Sequence, residues 1–287
     1  MVNWRRRGVD GLFPHDIPGE QPQPSRTPLP SHDIVISFIV PAHNEQVLIG
    51  QSLAAMHEAA RALEESYEII VANDASTDRT EEIALAHAAR VVAVNRRQIA
   101  ATRNAGAAAA SGELFFFVDA DTVVTRQALA AAVRALRGGA VGGGSVVRFA
   151  PPVPFYGRVL ERCVLPIVLP LLRLAPGCFL FCTRQAYLTA GGFDETLYVA
   201  EEVIFAQQLK RQGRFVIVRD FVFTSARKLR SRSALDLLKI GLRLALGGPQ
   251  SLRRREGLEY WYGPREAEST FAGDAGSPST AASKVDP

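Results

Sequence analysis

Asp119-Ala120-Asp121 ends the apolar run Leu114-Phe115-Phe116-Phe117-Val118. Two carboxylates one residue apart, delivered by a buried strand, suit a hard divalent cation held against a phosphate-bearing ligand. Mg²⁺ and Mn²⁺ prefer oxygen donors and commonly take one or two protein carboxylates, leaving the other positions to water and phosphate. Such a pair is also an ordinary polar strand end, so its meaning depends on its company. Asp74 follows another apolar run, where a carboxylate can bond a ribose hydroxyl or the imide edge of a uracil. Asp78 and Thr80 beside it fit the start of a helix equally well. Glu201-Glu202 places two acids before an expected helix over 203–211, where they favour the helix dipole. The same pair offers a base to an attacking hydroxyl. The basic stretch 224–232 holds Arg227 and Lys228, either of which would close on a diphosphate or touch lipid headgroups.

The elements that must position these groups alternate along the chain. Short β-branched apolar runs at 34–40, 67–71, 90–94 and 114–118 read as buried strands. Between and after them, helical spacing is expected over 47–65, 80–89, 99–110 and 127–136. Strands alternating with helices give right-handed βαβ units and a mostly parallel sheet. Ligands of such sheets bind beyond the carboxyl ends of the strands. The polar clusters Pro41-Ala42-His43-Asn44-Glu45, Asn73-Asp74-Ala75-Ser76 and Asp119-Ala120-Asp121 all fall there. Asn44 and Glu45 fit both a helix start and the lining of a nucleotide pocket.

Taken together, Pro41-Ala42-His43-Asn44-Glu45, Asp74-Ala75-Ser76-Thr77-Asp78-Arg79-Thr80, Ala101-Thr102-Arg103-Asn104-Ala105-Gly106 and Asp119-Ala120-Asp121 resemble family 2 glycosyltransferases in order and spacing. The resemblance spans about 34–223. It implies a GT-A fold, an α/β architecture with a mostly parallel Rossmann-like sheet and flanking helices. It further implies a nucleotide-diphosphate sugar donor, read here as a UDP-linked one, a divalent metal (Mn²⁺ or Mg²⁺) and inversion at the anomeric carbon. On this basis Pro41, Ala42 and Glu45 would line the nucleoside pocket and Asp74 would contact the base. Arg103 and Asn104 would lie beside the nucleotide, with Gly106 allowing close helix packing. Asp119 would face the ribose or sugar, and Asp121 with Asp119 would hold the metal on the diphosphate. Downstream, Gly191-Gly192-Phe193-Asp194-Glu195 and then Glu201-Glu202 resemble a family stretch that normally ends Glu-Asp. Glu202 aligns with the usual base despite the extra methylene, Glu201 competes with it, and Asp194 organises a turn near the acceptor.

Composition bounds the alternatives. The chain has 287 residues, 47% of them hydrophobic and 22% charged, with a net charge of +4. That is enough for one large domain or two small ones and too weakly basic to make nucleic acid the main partner. Three cysteines without metal-ligand spacing and no signal-like start fit a reducing, cytoplasmic setting. The Pro/Arg-rich arm 1–33 and the tail 264–287 read as disordered. The catalytic domain is expected over 34–225. A basic, amphipathic helical extension follows over 226–263, with the helix 234–246 either packed on the core or on the inner face of a membrane. The apolar stretch 159–175 is too interrupted to span a bilayer, but would rest on one or form an acceptor groove. Tyr260-Trp261-Tyr262 reads as an interfacial anchor or a packing plug. The acceptor class (lipid, polysaccharide or small molecule) is open. Two other functions compete: a catalytically silent nucleotide-sugar sensor or membrane-associated scaffold, and a sugar-phosphate nucleotidyltransferase. The latter wants a Gly-rich, Lys/Arg-bearing loop after the first strand, and the chain has none there.

Overall fold

A computed structural model describes residues 36–167 and 175–230, together with 236, 252–256, 258 and 262. The arm, the tail, and nearly all of the amphipathic helix expected over 234–246 lie outside the described residues.

The first half follows the alternation read from the sequence. Strands β1 (Ile36–Ala42), β2 (Tyr67–Asp74), β3 (Arg90–Val94) and β4 (Leu114–Val118) are joined by helices α1 (Ile49–Arg61), α2 (Thr80–Ala86) and α3 (Ile99–Ala109). They pair in parallel, β3 on β2, β2 on β1 and β1 on β4. A two-residue strand, β5 (Thr122–Val123), and helix α4 (Arg126–Arg137) follow.

The second half is mixed. Strand β6 (Gly142–Ala150) is followed by α5 (Phe155–Val159), which runs on through a π turn at Leu160–Val164. Then come β7 (Phe179–Thr183), α6 (Arg184–Ala190), α7 (Glu201–Gln212), β8 (Phe215–Ser225) and the single turn α8 (Arg227–Arg230). The sheet order is β3-β2-β1-β4-β7-β6-β8-β5. Strand β7 runs antiparallel between β4 and β6, and β8 returns parallel to β6. Two neighbouring antiparallel steps restore the original direction at β6. The carboxyl ends of β1, β2, β4, β6 and β8 therefore share one rim.

Each face of the sheet is sealed by helices. Ile36, Phe38, Val40, Phe116 and Val118 pack under α1 and α4, whose Leu53, Met56, Leu129 and Val133 are buried. On the other face Ile39, Phe115, Phe117 and Leu180 pack under α3, α6 and α7. The Ala-rich character of α3 allows close approach. A Cβ on Gly106 would stand 2.7 Å from Ile39 Cγ2. Phe117, Phe193 and Phe205 stack at 4.8 Å and 4.2 Å between ring centroids, which fastens the 191–195 loop to the core.

The apolar runs 215–218 and 221–223 belong to the one strand β8. Its register against β6 shifts between Ser145 and Val146, opposite Val218 and Phe221, so Arg219 and Asp220 occupy an irregularity instead of a break. Asn44 does not cap α1. That helix starts four residues later, from Leu48, with no side-chain cap.

Candidate active site

A cleft of roughly 660 Å³, its open mouth included, lies along the carboxyl rim. Pro41, Ala42, Glu45, Asp74, Asp119, Asp121 and Arg227, each singled out from sequence, line it together. The rim loops are pinned to one another. The Asn44 amide donates to Ser76 Oγ at 3.0 Å, and Asn44 Oδ1 accepts from the Thr77 amide at 2.8 Å. The Glu45 amide donates to Thr80 Oγ1 at 2.8 Å. Asn44, Ala75 and Arg97 hold positive φ angles of 53°, 54° and 51°. Left-handed backbone at three non-glycine positions costs free energy that these cross-loop bonds offset.

Asp74 holds the third loop. Its Oδ1 accepts from the amides of Arg96 and Arg97 at 2.8 and 2.9 Å. Its Oδ2 accepts from the Gln98 amide at 3.1 Å and from Thr102 Oγ1 at 2.8 Å. Burial pushes this carboxyl up, but the four donors outweigh it and hold it below the usual carboxylate range. A carboxylate has about four lone-pair positions, so Asp74 shapes the loop that borders the cleft instead of presenting a spare oxygen to a base. His43 continues this border. One ring nitrogen, Nδ1, lies 2.7 Å from the Asp74 carbonyl, which can only accept. Nδ1 therefore carries the proton and Nε2 faces the Arg97 guanidinium.

Arg103 and Asn104 also differ from expectation. Arg103 is turned away from the cleft, its side chain 4% exposed. It donates to Glu201 Oε1 at 2.8 Å, to Asp119 Oδ1 at 3.0 Å and to the Gly177 carbonyl at 3.2 Å. Asn104 is saturated by α6 and the loop that follows it. It donates to the Phe193 carbonyl and Glu195 Oε1, both at 2.9 Å, and accepts from the Phe193 amide and Tyr187 hydroxyl, both at 2.9 Å. Both residues face the second half of the molecule because α3 lies against α6 and α7. Asp194 is a turn organiser. Its Oδ1 accepts from the Thr196 amide at 2.9 Å and hydroxyl at 2.7 Å.

The acidic pair opens α7 after Ala200, itself at φ 63°. Glu201 is buried and Glu202 is partly exposed, lying over Gly177. Burial, then the Glu202 carboxylate, pushes the Glu201 carboxyl up to about 8 against the pull of Arg103. The guanidinium itself is held charged: burial opposes its charge, but Asp119, Glu201 and Glu202 outweigh burial. One cation among three carboxylates leaves excess negative charge around the buried Glu201 carboxyl, which adds to its burial. The cation stays on Arg103, since a guanidinium does not deprotonate in proteins.

A second arginine sits in the cleft. Arg227 donates to Glu45 Oε1 and Oε2, both at 2.6 Å, and lies 3.0 Å from Asp121 Oδ2. The tail of β8 brings it there: the Ser225 amide donates to the Asp121 carbonyl at 3.1 Å, and Thr122 pairs with Thr224. In this structure Arg227 meets carboxylates, not a diphosphate. The oxygen-only set of Asp119, partly exposed to the cleft, and Asp121 fits a hard divalent cation. Among the described residues no three His, Cys, Asp or Glu side chains converge as a complete metal cage.

Sequence reasoning assigned no ligand role to five lining residues, Arg97, Gln98, Ile99, Thr102 and Tyr262. Gln98, Ile99 and Thr102 open α3, and the Gln98 side chain donates to the Leu197 carbonyl at 2.9 Å, tying the start of α3 to the segment before α7. Tyr262 arrives from the C-terminal region, and its hydroxyl donates to the Tyr198 carbonyl at 2.8 Å. Its apolar neighbours gave the plug reading of 260–262 some purchase, but nothing local named its target. Tyr260 and Trp261 lie outside the described residues.

The profile of glycosyl transferase family 2 matches residues 37–184, just over half of the chain. The chain belongs to glycosyltransferase family 2. It is similar to validoxylamine A glucosyltransferase of Streptomyces hygroscopicus subsp. jinggangensis (strain 5008), 30% identical over 95 residues. That match covers 31% of this chain and 22% of the relative, so the chain spans about a fifth of that protein's length. Among solved structures it is similar to glucosyl-3-phosphoglycerate synthase from Mycobacterium tuberculosis in complex with Mn²⁺, UDP and glucosyl-3-phosphoglycerate. The TM-score is 0.52 and the identity 23%, covering 77% of this chain and 80% of that one. It is also similar to S. aureus TarS, with TM-score 0.54 and 18% identity over 73% of this chain and 40% of that one. These likenesses carry the GT-A fold.

Proposed function

We propose that the protein is a metal-dependent inverting glycosyltransferase that moves a sugar from a uridine-diphosphate donor to an acceptor hydroxyl. The observation that carries this reading is the placement of Asp119 and Asp121 in one cleft, together with Arg227 and the loop held by Asp74. A solved structure of the same fold was crystallised with UDP and Mn²⁺, which supports the choice of nucleotide and ion.

In this reading Pro41, Ala42 and the 96–98 loop enclose the nucleoside. Asp121 and Asp119 would hold the Mn²⁺ or Mg²⁺ ion, which when bound supplies positive charge to a departing diphosphate. Arg227, now on Glu45 and Asp121, would add its guanidinium to the same oxygens. Glu202 takes the proton of the acceptor hydroxyl on a carboxylate oxygen. The freed oxygen forms its bond to the anomeric carbon as the bond to the diphosphate oxygen breaks, and that electron pair leaves with the nucleotide. Attack from the opposite side inverts the centre. Glu201, locked on Arg103, is the poorer base and holds the start of α7 in place.

Calorimetric titration of UDP and GDP, each with Mn²⁺ or with a chelator, tests the reading. UDP binding that requires Mn²⁺ and vanishes in Asp121→Ala is expected. No binding of either nucleotide to folded protein would sink it. Glu202→Gln should keep nucleotide affinity and lower turnover by about 10²–10⁴-fold; unchanged turnover would remove Glu202 from the base role.

A further inference from the structure

The segment 155–167 has a face that nothing else in the described chain covers. Its exposed positions include Phe155, Arg158, Val159, Arg162, Pro166 and Ile167, a three-and-four spacing that places them along one side. Phe155 is 75% and Ile167 66% exposed. The carboxylate and the phenol of the same segment point the other way. Glu161 Oε2 accepts from the Phe149 amide at 3.1 Å, and the Tyr156 hydroxyl donates to the Leu229 carbonyl. Gly157 is buried against Leu229, where a Cβ would stand 3.0 Å from its Cδ1. The one acidic residue of the segment is therefore turned inward, and the exposed positions carry apolar groups, Cys163 and arginines.

We infer that this face docks on an anionic lipid surface. Apolar side chains interleaved with arginines match such a surface in both respects. Phe155, Val159 and Ile167 enter the headgroup boundary, while Arg158 and Arg162 reach the lipid phosphates from the same side. The sequence beyond it, Val168-Leu169-Pro170-Leu171-Leu172-Arg173-Leu174, keeps the same composition without an acidic residue. No helix among the described residues is long and apolar enough to cross a membrane, so the contact is peripheral. The segment starts just past the carboxyl end of β6, and the Arg230 guanidinium binds the Pro152 carbonyl at 3.0 Å. A lipid surface docked here lies next to the helix that carries Arg227. The inference concerns where the enzyme sits and holds whatever its donor is.

Co-sedimentation of the full chain with phosphatidylcholine vesicles, with and without phosphatidylglycerol, tests it. The protein should pellet with the anionic vesicles and be released by salt. Phe155→Ser with Ile167→Ser should weaken vesicle binding by at least about 10-fold. Arg158→Gln with Arg162→Gln should abolish the preference for phosphatidylglycerol. Near-ultraviolet circular dichroism and the UDP–Mn²⁺ titration, read on the same variants, report folding and the donor site separately. Failure of the wild-type chain to bind either vesicle overturns the inference, as does wild-type-like vesicle binding by the apolar variant. A lipid-free dimer that the apolar variant dissociates in sedimentation velocity also overturns it, and assigns the face to a second copy.

Discussion

Arg103 and Arg227 each join two carboxylates, yet they are built for different tasks. Arg103 sits within α3, with 4% of its side chain exposed, and its partners come from three separate segments. Arg227 begins a single turn at the end of β8, is 13% exposed and lines the cleft. The first is enclosed by packing on every side and has nowhere to go. The second borders the space where the donor is proposed to bind and can exchange one set of oxygens for another. The same residue type thus serves as a fixed bracket in one half of the site and as an exchangeable counter-charge in the other.

Breaking the bracket should have the largest effect. Arg103→Met leaves Asp119 and Glu201 without their cation, at a cost of about 3–5 kcal/mol. Thermal unfolding should show it, and Mn²⁺ should not restore the loss. Arg227→Met should cost less stability, and Mn²⁺ should restore it, because the acids it leaves are open to an ion. The same variant should bind UDP with Mn²⁺ about 10-fold more weakly, for want of a charge-assisted bond worth some 1.5–3 kcal/mol. If Mn²⁺ rescues both variants or neither, the contrast between the two arginines fails.

A subtler test uses pH. The Glu201 carboxyl rises from an ordinary 4.5 to about 8 in the folded chain, first through burial and then through Glu202. The folded state then binds more protons than the unfolded one, so this group's contribution to stability falls as pH rises from about 4.5 to about 8. Urea unfolding across that range should show a shallower decline in Glu201→Gln. The smallest effect is expected from Tyr262→Phe, which removes one hydrogen bond to the Tyr198 carbonyl while keeping the ring. A loss of about 1 kcal/mol or less is expected, seen as faster hydrogen exchange around Tyr198.

The legibility of these features in the sequence follows their range. Strands β1 to β4 and the helices between them repeat a local pattern, so their order and the rim clusters could be read directly. Strand β6 opens with Gly142-Gly143-Gly144, which locally signals a break; only the approach of β8 and Phe181 explains it. The direction of β7 likewise depends on its neighbours. The carboxylates of the cleft were visible as residue types. Their pairings were not, because Arg103 meets Glu201 at a separation of 98 residues and Arg227 meets Glu45 at 182. Asn104 and Asp74 misled for the same reason: a family position fixes where a residue lies, and packing decides which way its side chain turns.

At Gly143 a Cβ would stand 2.0 Å from the Val216 carbonyl oxygen and 2.4 Å from Phe181 Cζ. Strand β8 lies flush against this point and delivers Thr224, Ser225 and then Arg227 at its opposite end, roughly 30 Å along the chain. The triglycine works as the fulcrum of a lever. A single added carbon there would tilt the far tip of β8, and the chemistry would feel at one end of the sheet a change made at the other.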